Sequence, residues 1–135
     1  MPFLDELANR LVTEGVCVLG VDLFLSSKSN IPTGAGPYTS ILESGGTTSR
    51  RTHNNTATQR PAAQITVRAS NYQTARAQAV RVYDALGGDN GLYNTVLLGT
   101  FYLQLTPVQQ LTDLGTDELA RARIVFNVNA EKVPS

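Results

Sequence analysis

One continuous stretch decides the fold: residues 63–86, which read AQITVRASNYQTARAQAVRVYDAL. In its first seven residues, small or apolar side chains alternate strictly with polar ones, which is the period of a strand with two different faces. We predict a strand whose inward face carries Ala63, Ile65, Val67 and Ala69. Its other face is expected to meet water or a partner, and it carries Gln64, Thr66 and Arg68.

The second part of the stretch changes to the helical period. Ser70 or Asn71 is placed to cap the first turn, and Gly87-Gly88 follows the last turn. The apolar side chains share one stripe, made of Tyr72, Ala75, Ala79, Val82, Tyr83 and Leu86. A helix with one apolar stripe, directly after a two-faced strand, is expected to cover a sheet.

A first amphipathic helix is predicted over about residues 2–14, because Gly15 stops it. Glu6 and Arg10 lie one turn apart on its polar side and are expected to pair. That side is formed by Asp5, Glu6, Asn9, Arg10 and Thr13, and the apolar side by Leu4, Leu7, Ala8, Leu11 and Val12.

Five further segments are predicted as strands: residues 16–26, 38–44, 96–98, 101–108 and a last one that alternates from Ala122 to Asn129. Gly99-Thr100 is expected to form a hairpin turn. The order αβββαβββ favours an α+β fold, because a parallel sheet would need a helix between most strand pairs. The 135 residues therefore predict a single domain with a largely antiparallel β-sheet packed with two amphipathic helices.

The composition excludes several function classes. Eleven Lys and Arg residues balance eleven Asp and Glu residues, so no overall charge attracts nucleic acid or an acidic membrane. One cysteine, Cys17, and one histidine, His53, offer neither an internal disulfide nor a Cys/His metal site. Burial among apolar neighbours is expected to make Cys17 inert, and His53 lies in a polar segment that would not orient a catalytic imidazole. No phosphate-binding glycine motif is present, so we expect no enzyme, no metal and no cofactor.

The chain carries no sign of a membrane or secretory route. Its longest apolar run, residues 16–25, contains Asp22 and is too short for a membrane span. Asp5 and Glu6 precede any basic residue, the reverse of a signal peptide. We expect the protein to fold in the cytoplasm where it is made.

A long polar loop is predicted at about residues 45–60, where no apolar side chain is larger than that of Ala57. It contains Arg50, Arg51 and His53, ends at Arg60 and has no acidic residue. Loops of this length in compact domains are usually functional or disordered. Two interpretations stay open: a solvated loop whose charge is incidental, or a loop whose arginines contact a partner or a neighbouring copy.

The densest acidic group is formed by Asp113, Asp117 and Glu118. Its spacing lacks the alternating ligands and the closing Glu of an EF-hand loop. We interpret it as a solvated turn and, together with the basic loop, as a candidate contact for a partner.

Nearly the whole chain carries a series of short sequence motifs in a characteristic order. After an opening helix closed by Gly15 they are LGVDLF (19–24), ESGG (43–46), QRP (59–61), QITVR (64–68), YQTAR (72–76), VYDAL (82–86), Pro107, LGTD (114–117) and FNV (126–128). In this order and spacing they resemble the bacteriophage tail-terminator family, whose members are often labelled minor capsid proteins. These sequence motifs mark structural elements, and none of them is a catalytic signature.

The resemblance implies a structural protein of the virion, located at the head–tail junction or neck. It implies a homo-oligomeric, typically hexameric ring that caps the tail tube protein, stops its polymerisation and joins a head-completion or stopper protein. Genomic DNA would pass through the lumen without specific binding. The long polar segment before Arg60 departs from the family pattern. Two other functions stay open: a head-completion or adaptor ring near the portal, and a small DNA-binding module that uses the Arg loop.

Overall fold

The computed structural model of the chain describes residues 3–25, 34, 36–44, 47–51, 57–108, 111–116 and 120–133. These residues form two α-helices and a nine-stranded, mostly antiparallel sheet. The predicted α+β fold class is therefore confirmed.

The helices are α1 (Phe3–Thr13) and α2 (Tyr72–Ala85), and a short 3-10 turn follows at Gly88–Asn90. The α2 helix begins as predicted, because the Asn71 side chain accepts a hydrogen bond from the backbone N–H of Thr74 at 2.8 Å. The strands are β1 (Leu23–Leu25), β2 (Tyr38–Glu43), β3 (Thr47–Arg51), β4 (Ala57–Arg60), β5 (Ala62–Ala69), β6 (Leu92–Leu97), β7 (Thr100–Pro107), β8 (Thr112–Thr116) and β9 (Ala122–Lys132).

The last strand, β9, lies at the centre of the sheet. One of its edges pairs with β5 and, at its end, with β4 through Gln59 opposite Lys132. Its other edge pairs first with β8 and then, from Val128 onwards, with β7. Beyond β5 the sheet continues with β2 and β1, and beyond β7 with β6. Both edges of β9 are thus occupied along most of its length.

Both helices cover the same face of the sheet. On this inner face Ile65 lies opposite Phe126 and Val67 lies opposite Ile124, and all four are fully buried. The helices contribute fully buried side chains to the same layer, among them Leu7, Leu11, Ala75, Ala79 and Val82. The predicted inward side of residues 63–69 is confirmed, and the opposite, outer face is not covered by either helix.

The predicted order αβββαβββ is wrong by three strands, since β3, β4 and β8 were not expected. Strands β3 and β4 form an antiparallel hairpin inside the range predicted as a loop at 45–60. Their Thr, Ser and Arg residues do not alternate with apolar ones, so periodicity gives no signal for them. Every residue of β8 is exposed, and this strand pairs with β9 where a solvated turn was predicted around Asp113.

Two other predicted strands have different bounds. Of the described residues 16–25, only Leu23–Leu25 form β1, because the preceding residues make a tight turn in which the Asp22 carboxylate accepts a hydrogen bond from the Val18 N–H at 2.6 Å. Strand β6 begins at Leu92 and not at Val96, and the β6–β7 hairpin turns at Leu98 and Gly99, one residue before the predicted Gly99-Thr100, with φ values of 49° and 82°. Two successive positive φ angles match the right-handed twist of the flanking strands.

The faces of the helices differ from the prediction at three positions. Glu6, expected on the solvent side, is fully buried, and Arg10 pairs instead with Glu14 at 2.8 Å. Val12 and Tyr72, expected on the apolar stripes, are 44% and 47% exposed. The helical period was correct, but the width of the buried stripe depends on what packs against it.

The buried carboxylate of Glu6 is matched by groups from the other end of the chain. Lys132 Nζ lies 2.6 Å from Glu6 Oε1, and the Tyr102 hydroxyl donates to the same oxygen at 2.6 Å. All three side chains are almost inaccessible to water. Lys132 Nζ also lies 5.9 Å and 5.8 Å from the ring centroids of Phe3 and Tyr102, within the range of cation–π attraction. This cluster joins α1 to β7 and to the end of β9.

The Tyr102 hydroxyl is held as a hydrogen-bond donor. Burial raises its pKa far above the usual range, and the hydrogen bond to Glu6 and the charge of that carboxylate raise it further. The other carboxylate oxygen, Glu6 Oε2, is buried and has no hydrogen-bond partner among the described residues. The cluster therefore combines a buried ion pair with an unsatisfied hydrogen-bond acceptor. The unsatisfied acceptor lowers the stability of the fold.

We predict that Glu6→Ala lowers the free energy of unfolding by about 3–5 kcal/mol, because the buried ammonium of Lys132 loses the carboxylate that lies 2.6 Å away. The double variant Glu6→Leu/Lys132→Met should recover most of this loss, since an apolar pair needs no buried charge. Urea unfolding followed by circular dichroism measures both. Glu14→Ala is the control and should cost less than about 1 kcal/mol, because its pair with Arg10 is partly exposed. A Glu6→Ala protein as stable as this control would contradict the role assigned to the ion pair.

Candidate interaction surfaces

The buried thiol is not placed for nucleophilic chemistry. Cys17 is 4% exposed, and its sulfur lies 3.8 Å from Thr39 Oγ1 and accepts from Gln78 Nε2 at 3.5 Å. Burial raises the pKa of the thiol, and the hydrogen bonds of Thr39 and Gln78 lower it only in part. A reactive cysteine needs the opposite shift and access to solvent, so the prediction of an inert thiol is supported.

Neither a metal site nor a membrane helix is found in the part of the chain that the structure describes. No group of three or more His, Cys, Asp or Glu side chains there could hold a metal ion. Within the same ranges, no helix is long and apolar enough to cross a membrane.

Arg60 and Asp113, the two candidate contact residues whose side chains the structure describes, lie far apart. Arg60 ends β4, next to Gln59, which lies opposite Lys132 of β9. Asp113 lies in β8 opposite Ile124, near the start of β9. From residue 124 to residue 132 an extended strand covers about 26 Å, at about 3.3 Å per residue. Arg60 and Asp113 thus lie near opposite ends of β9.

Of the other five candidates, the structure describes the backbone of two. The backbone of Arg50 and Arg51 lies in β3, opposite Thr58 and Ala57 of β4. His53, Asp117 and Glu118 lie outside the described residues. Part of the positive charge of residues 45–60 therefore belongs to the β3–β4 hairpin. This hairpin follows β2 and precedes β5, so it extends from the end of the pair that β2 and β5 form.

Local hydrogen bonds account for two of the candidates. Asp113 accepts a hydrogen bond from the Gly115 N–H at 2.8 Å, which shapes the irregular start of β8. Arg60 lines a small cleft of about 50 Å³ together with Gln104, Asn129 and Ala130. Asp113 and Arg60 therefore stay predicted contact residues for a partner.

An apolar groove lies on the helix layer, between α1, the turn before β1 and the turn between β6 and β7. Its volume is about 470 Å³, and Val18 and Leu19 in its wall are 56% and 55% exposed. Val21, in the same turn, is 64% exposed. The groove is lined by Asp5, Ala8, Asn9, Val12, Val18, Leu19 and Leu98. Exposed apolar side chains that are clustered in this way mark interaction sites.

A second groove lies on the outer face of the sheet. It has a volume of about 250 Å³, and Arg68 of β5 and Arg123 of β9 are paired across its floor. Its remaining lining residues are Ser40, Leu42, Gln64, Thr66 and Leu114. Two arginines and three uncharged polar side chains make this groove cationic.

Only part of these two surfaces could be predicted from the sequence. The polar side of residues 63–69 was expected to meet water or a partner, and the structure adds Arg123 to it through the pairing of β5 with β9. The apolar groove was not predicted, because Val18 and Leu19 lie in the segment 16–26, whose composition predicts a strand. A turn rich in apolar residues was indistinguishable from a strand by composition alone.

No known protein family and no curated protein matches the sequence. Among solved structures, the fold is similar to that of a chain in the virion of a native gene transfer agent (GTA) particle, with a TM-score of 0.64 and 20% sequence identity. The alignment covers 93% of this chain and 92% of the virion chain. The two chains share one fold over nearly their whole length.

We predict that Cys17 resists iodoacetamide in the folded protein. A raised pKa leaves little thiolate, and burial blocks access, so labelling at pH 8 should be at least about tenfold slower than in urea. Mass spectrometry of timed samples measures the rate. A Ser44→Cys variant, altered at an exposed position, serves as the control and should gain one rapidly labelled thiol. Equal labelling rates of Cys17 in the folded and unfolded protein would contradict the prediction of an inert thiol.

Proposed function

We propose that this chain is a structural protein of a phage-like virion. The observation that carries this proposal is the fold shared with a chain of the gene transfer agent virion over 93% of one chain and 92% of the other. The exposed apolar groove and the cationic groove support the proposal, because an assembly protein acts through its surfaces.

Within the virion we assign the chain to the head–tail junction. There it forms a ring that caps the tail tube, stops its polymerisation and joins the tail to a head-completion protein. This position is supported by the series of short sequence motifs, whose order resembles that of the tail-terminator family. The resemblance implies that the ring is a hexamer. Genomic DNA passes through the lumen without specific binding.

Unpaired strand edges support a closed assembly. Among the described residues β6 pairs only with β7, so its other edge presents unpaired backbone groups. An open edge promotes uncontrolled association unless something covers it. A cyclic assembly in which each copy covers the next removes the hazard and stops growth at closure.

In this ring the apolar groove receives the neighbouring copy. The groove reaches Leu98, the first residue after the edge strand β6. Apolar side chains and unpaired backbone groups therefore adjoin each other at one end of the domain. Such a surface fits an extended, partly apolar segment of another polypeptide, which can pair with the edge and fill the groove.

The basic hairpin contacts a protein and not the DNA. Arg50, Arg51 and Arg60 would be repeated in every subunit of a ring. Arginines that faced the lumen would hold the passing phosphates through counterion release. We therefore place them against acidic groups of the tube or head-completion subunits.

Two alternatives are separated by direct observation. Particles that lack the protein should have overlong tails if it is a terminator, whereas heads that leak DNA would identify an adaptor near the portal. Salt-dependent binding of the isolated protein to DNA would favour a DNA-binding module. Electron microscopy and a binding assay at low salt distinguish the three functions.

We predict that Leu19→Asp prevents ring formation, because a carboxylate in the apolar groove would be buried against the neighbouring copy. The mass of the oligomer, measured by light scattering with and without tail tubes, should be that of a ring for the wild type and of smaller species for the variant. Val80→Asp, at a position 39% exposed on α2, is the matched control and should assemble normally. Unfolding free energies of the two variants should agree within about 1 kcal/mol, since both sites are exposed. Normal rings of Leu19→Asp would exclude the groove from the subunit contact.

We further predict that Arg50→Glu/Arg51→Glu weakens attachment to tails while the ring still forms, because the reversed charges repel an acidic partner. Co-sedimentation with tail tubes and head-completion protein measures attachment. Arg76→Glu/Arg81→Glu on α2 makes the same change in net charge and should attach like the wild type. Unchanged attachment of the first variant would remove the hairpin from the docking surface.

A further inference from the structure

The turn between β6 and β7 carries a leucine where the backbone favours another residue. Leu98 and Gly99 have φ values of 49° and 82°, and turns with two positive φ angles are usually formed by Asn-Gly, Asp-Gly or Gly-Gly. A positive φ brings the Cβ atom of an L-residue close to the following carbonyl oxygen, so it is unfavourable for leucine. The Leu98 side chain is also 40% exposed. Backbone strain of this kind is typical of sites with a function.

Two apolar side chains project from the other face of the same hairpin. Val96 of β6 and Phe101 of β7 lie directly opposite each other and are 60% and 41% exposed. Tyr102, the next residue along β7, is fully buried and donates to Glu6 of α1. Because side chains alternate along a strand, Phe101 and its partner Val96 face away from the helix layer.

No other pair of this kind is found in the strands whose side chains the structure describes. Elsewhere in their register, a large and exposed apolar residue lies opposite a polar one, as Leu42 lies opposite Gln64. Single exposed apolar side chains are common on protein surfaces. Val96 and Phe101 instead form a continuous apolar patch, and such patches mark contacts with other molecules.

The wall of the apolar groove on the helix layer is held by short-range hydrogen bonds. The Val18 carbonyl oxygen accepts from the N–H groups of Val21 and Asp22 at 3.1 Å and 3.0 Å, and the Val18 N–H donates to the Asp22 carboxylate at 2.6 Å. This turn keeps Val18 and Leu19 exposed although both are apolar. A preorganised surface loses little conformational entropy when a partner binds, so the groove suits the binding of an apolar group.

The groove and the exposed pair match in chemistry and lie on opposite faces of one hairpin. Asp5 is the one charged residue among the described lining residues of the groove, and the pair of Val96 and Phe101 has no charge. Leu98, in the groove wall, follows Val96 by two residues. A subunit therefore cannot place its own pair in its own groove, but a second copy can. A contact between two different patches repeats from copy to copy until a ring closes.

We infer that the Val96–Phe101 pair of one copy fills the apolar groove of the next copy, with Leu98 in contact with it. The inference rests on the ring proposed above and identifies the segment that the groove receives, which is the outer face of the β6–β7 hairpin. The contact removes exposed apolar surface from water on both copies. This gain offsets the strain at Leu98 and explains why a leucine occupies that turn.

The test is an exchange of charges across the contact, with the oligomer mass measured under the conditions that give wild-type rings. Leu19→Asp and Val96→Lys should each raise the protein concentration needed for ring formation by about tenfold or more, because each buries a charge against an apolar surface. The double variant Leu19→Asp/Val96→Lys should recover most of this loss, since the carboxylate of one copy meets the ammonium of the next. Leu19→Asp/Val80→Lys makes the same change in charge with the lysine on α2, and it should stay dissociated.

Three outcomes of the charge exchange are decisive against the inference. Wild-type rings without recovery in the double variant would overturn it and leave the proposed ring intact. Equal recovery by Val80→Lys would mean a general charge effect and would also overturn it. A wild-type protein that forms no ring with or without tail tubes would overturn the proposed ring, and the inference with it.

Chemical cross-linking keeps the inference testable if a charged variant does not fold. Leu19→Cys/Val96→Cys treated with a short bis-maleimide should give a ladder of covalent oligomers, because each copy is joined to two neighbours. The two single variants should stay monomeric on denaturing gels, since identical positions do not meet in such a contact. The wild type should not react, because Cys17 is buried. The absence of a ladder, or dimers of either single variant, would contradict the inference.

Leu98→Asn separates the contact from the fold. Asparagine is favoured at this turn position, so the variant should unfold at the same or a higher urea concentration than the wild type. Its rings should nevertheless need a severalfold higher protein concentration to form, because an apolar contact is lost. Val80→Asn on α2 is the control and should leave ring formation unchanged. Rings of Leu98→Asn that form as readily as those of the wild type would exclude Leu98 from the contact.

Discussion

Lys132 must place its ammonium against Glu6 inside the core, and this requirement fixes the end of β9. The pair is buried with a separation of 2.6 Å, and Tyr102 donates to the same carboxylate oxygen. Because a buried charge without its partner is very unfavourable, α1 and β9 can shift relative to each other only if the pair breaks. The position of β9 in turn sets the register of β5, β7 and β8, which all pair with it.

The register of β9 decides which face can act on a partner. Since side chains alternate along a strand, the packing of Ile124 and Phe126 under the helices places Arg123 on the other face. The same alternation in β5 places Arg68 there as well. The core therefore determines the cationic groove: a one-residue slip of either strand would bury an arginine under the helices.

The sequence predicted those features whose signals are local. The alternation in residues 63–69 and the capped helix after it depend on neighbours a few residues away, and both are present in the structure. Glu6 was misplaced because its partners are 96 and 126 residues away along the chain, and no helical pattern encodes them. Strand β8 exists only because β9 lies beside it, so its own residues show no apolar period. The alternation of side chains predicts that Arg68 and Arg123 each face outward. That the two lie opposite each other follows only from the pairing register of β5 and β9.

The three surfaces lie on different parts of the fold, and this separation bears on function. The apolar groove is on the helix layer, the arginine groove is on the outer sheet face, and the basic hairpin extends from the far end of β2 and β5. A protein that binds a single ligand gains nothing from three separate surfaces of different chemistry. A connector must contact a neighbouring copy and at least one other kind of subunit at the same time, and contacts on separate faces do not compete. An apolar groove beside an unpaired strand edge suits the permanent contact between copies. Surfaces that carry arginines suit partners that are recognised by their negative charge. The arrangement of surfaces thus favours an assembly protein over a binding module with one partner.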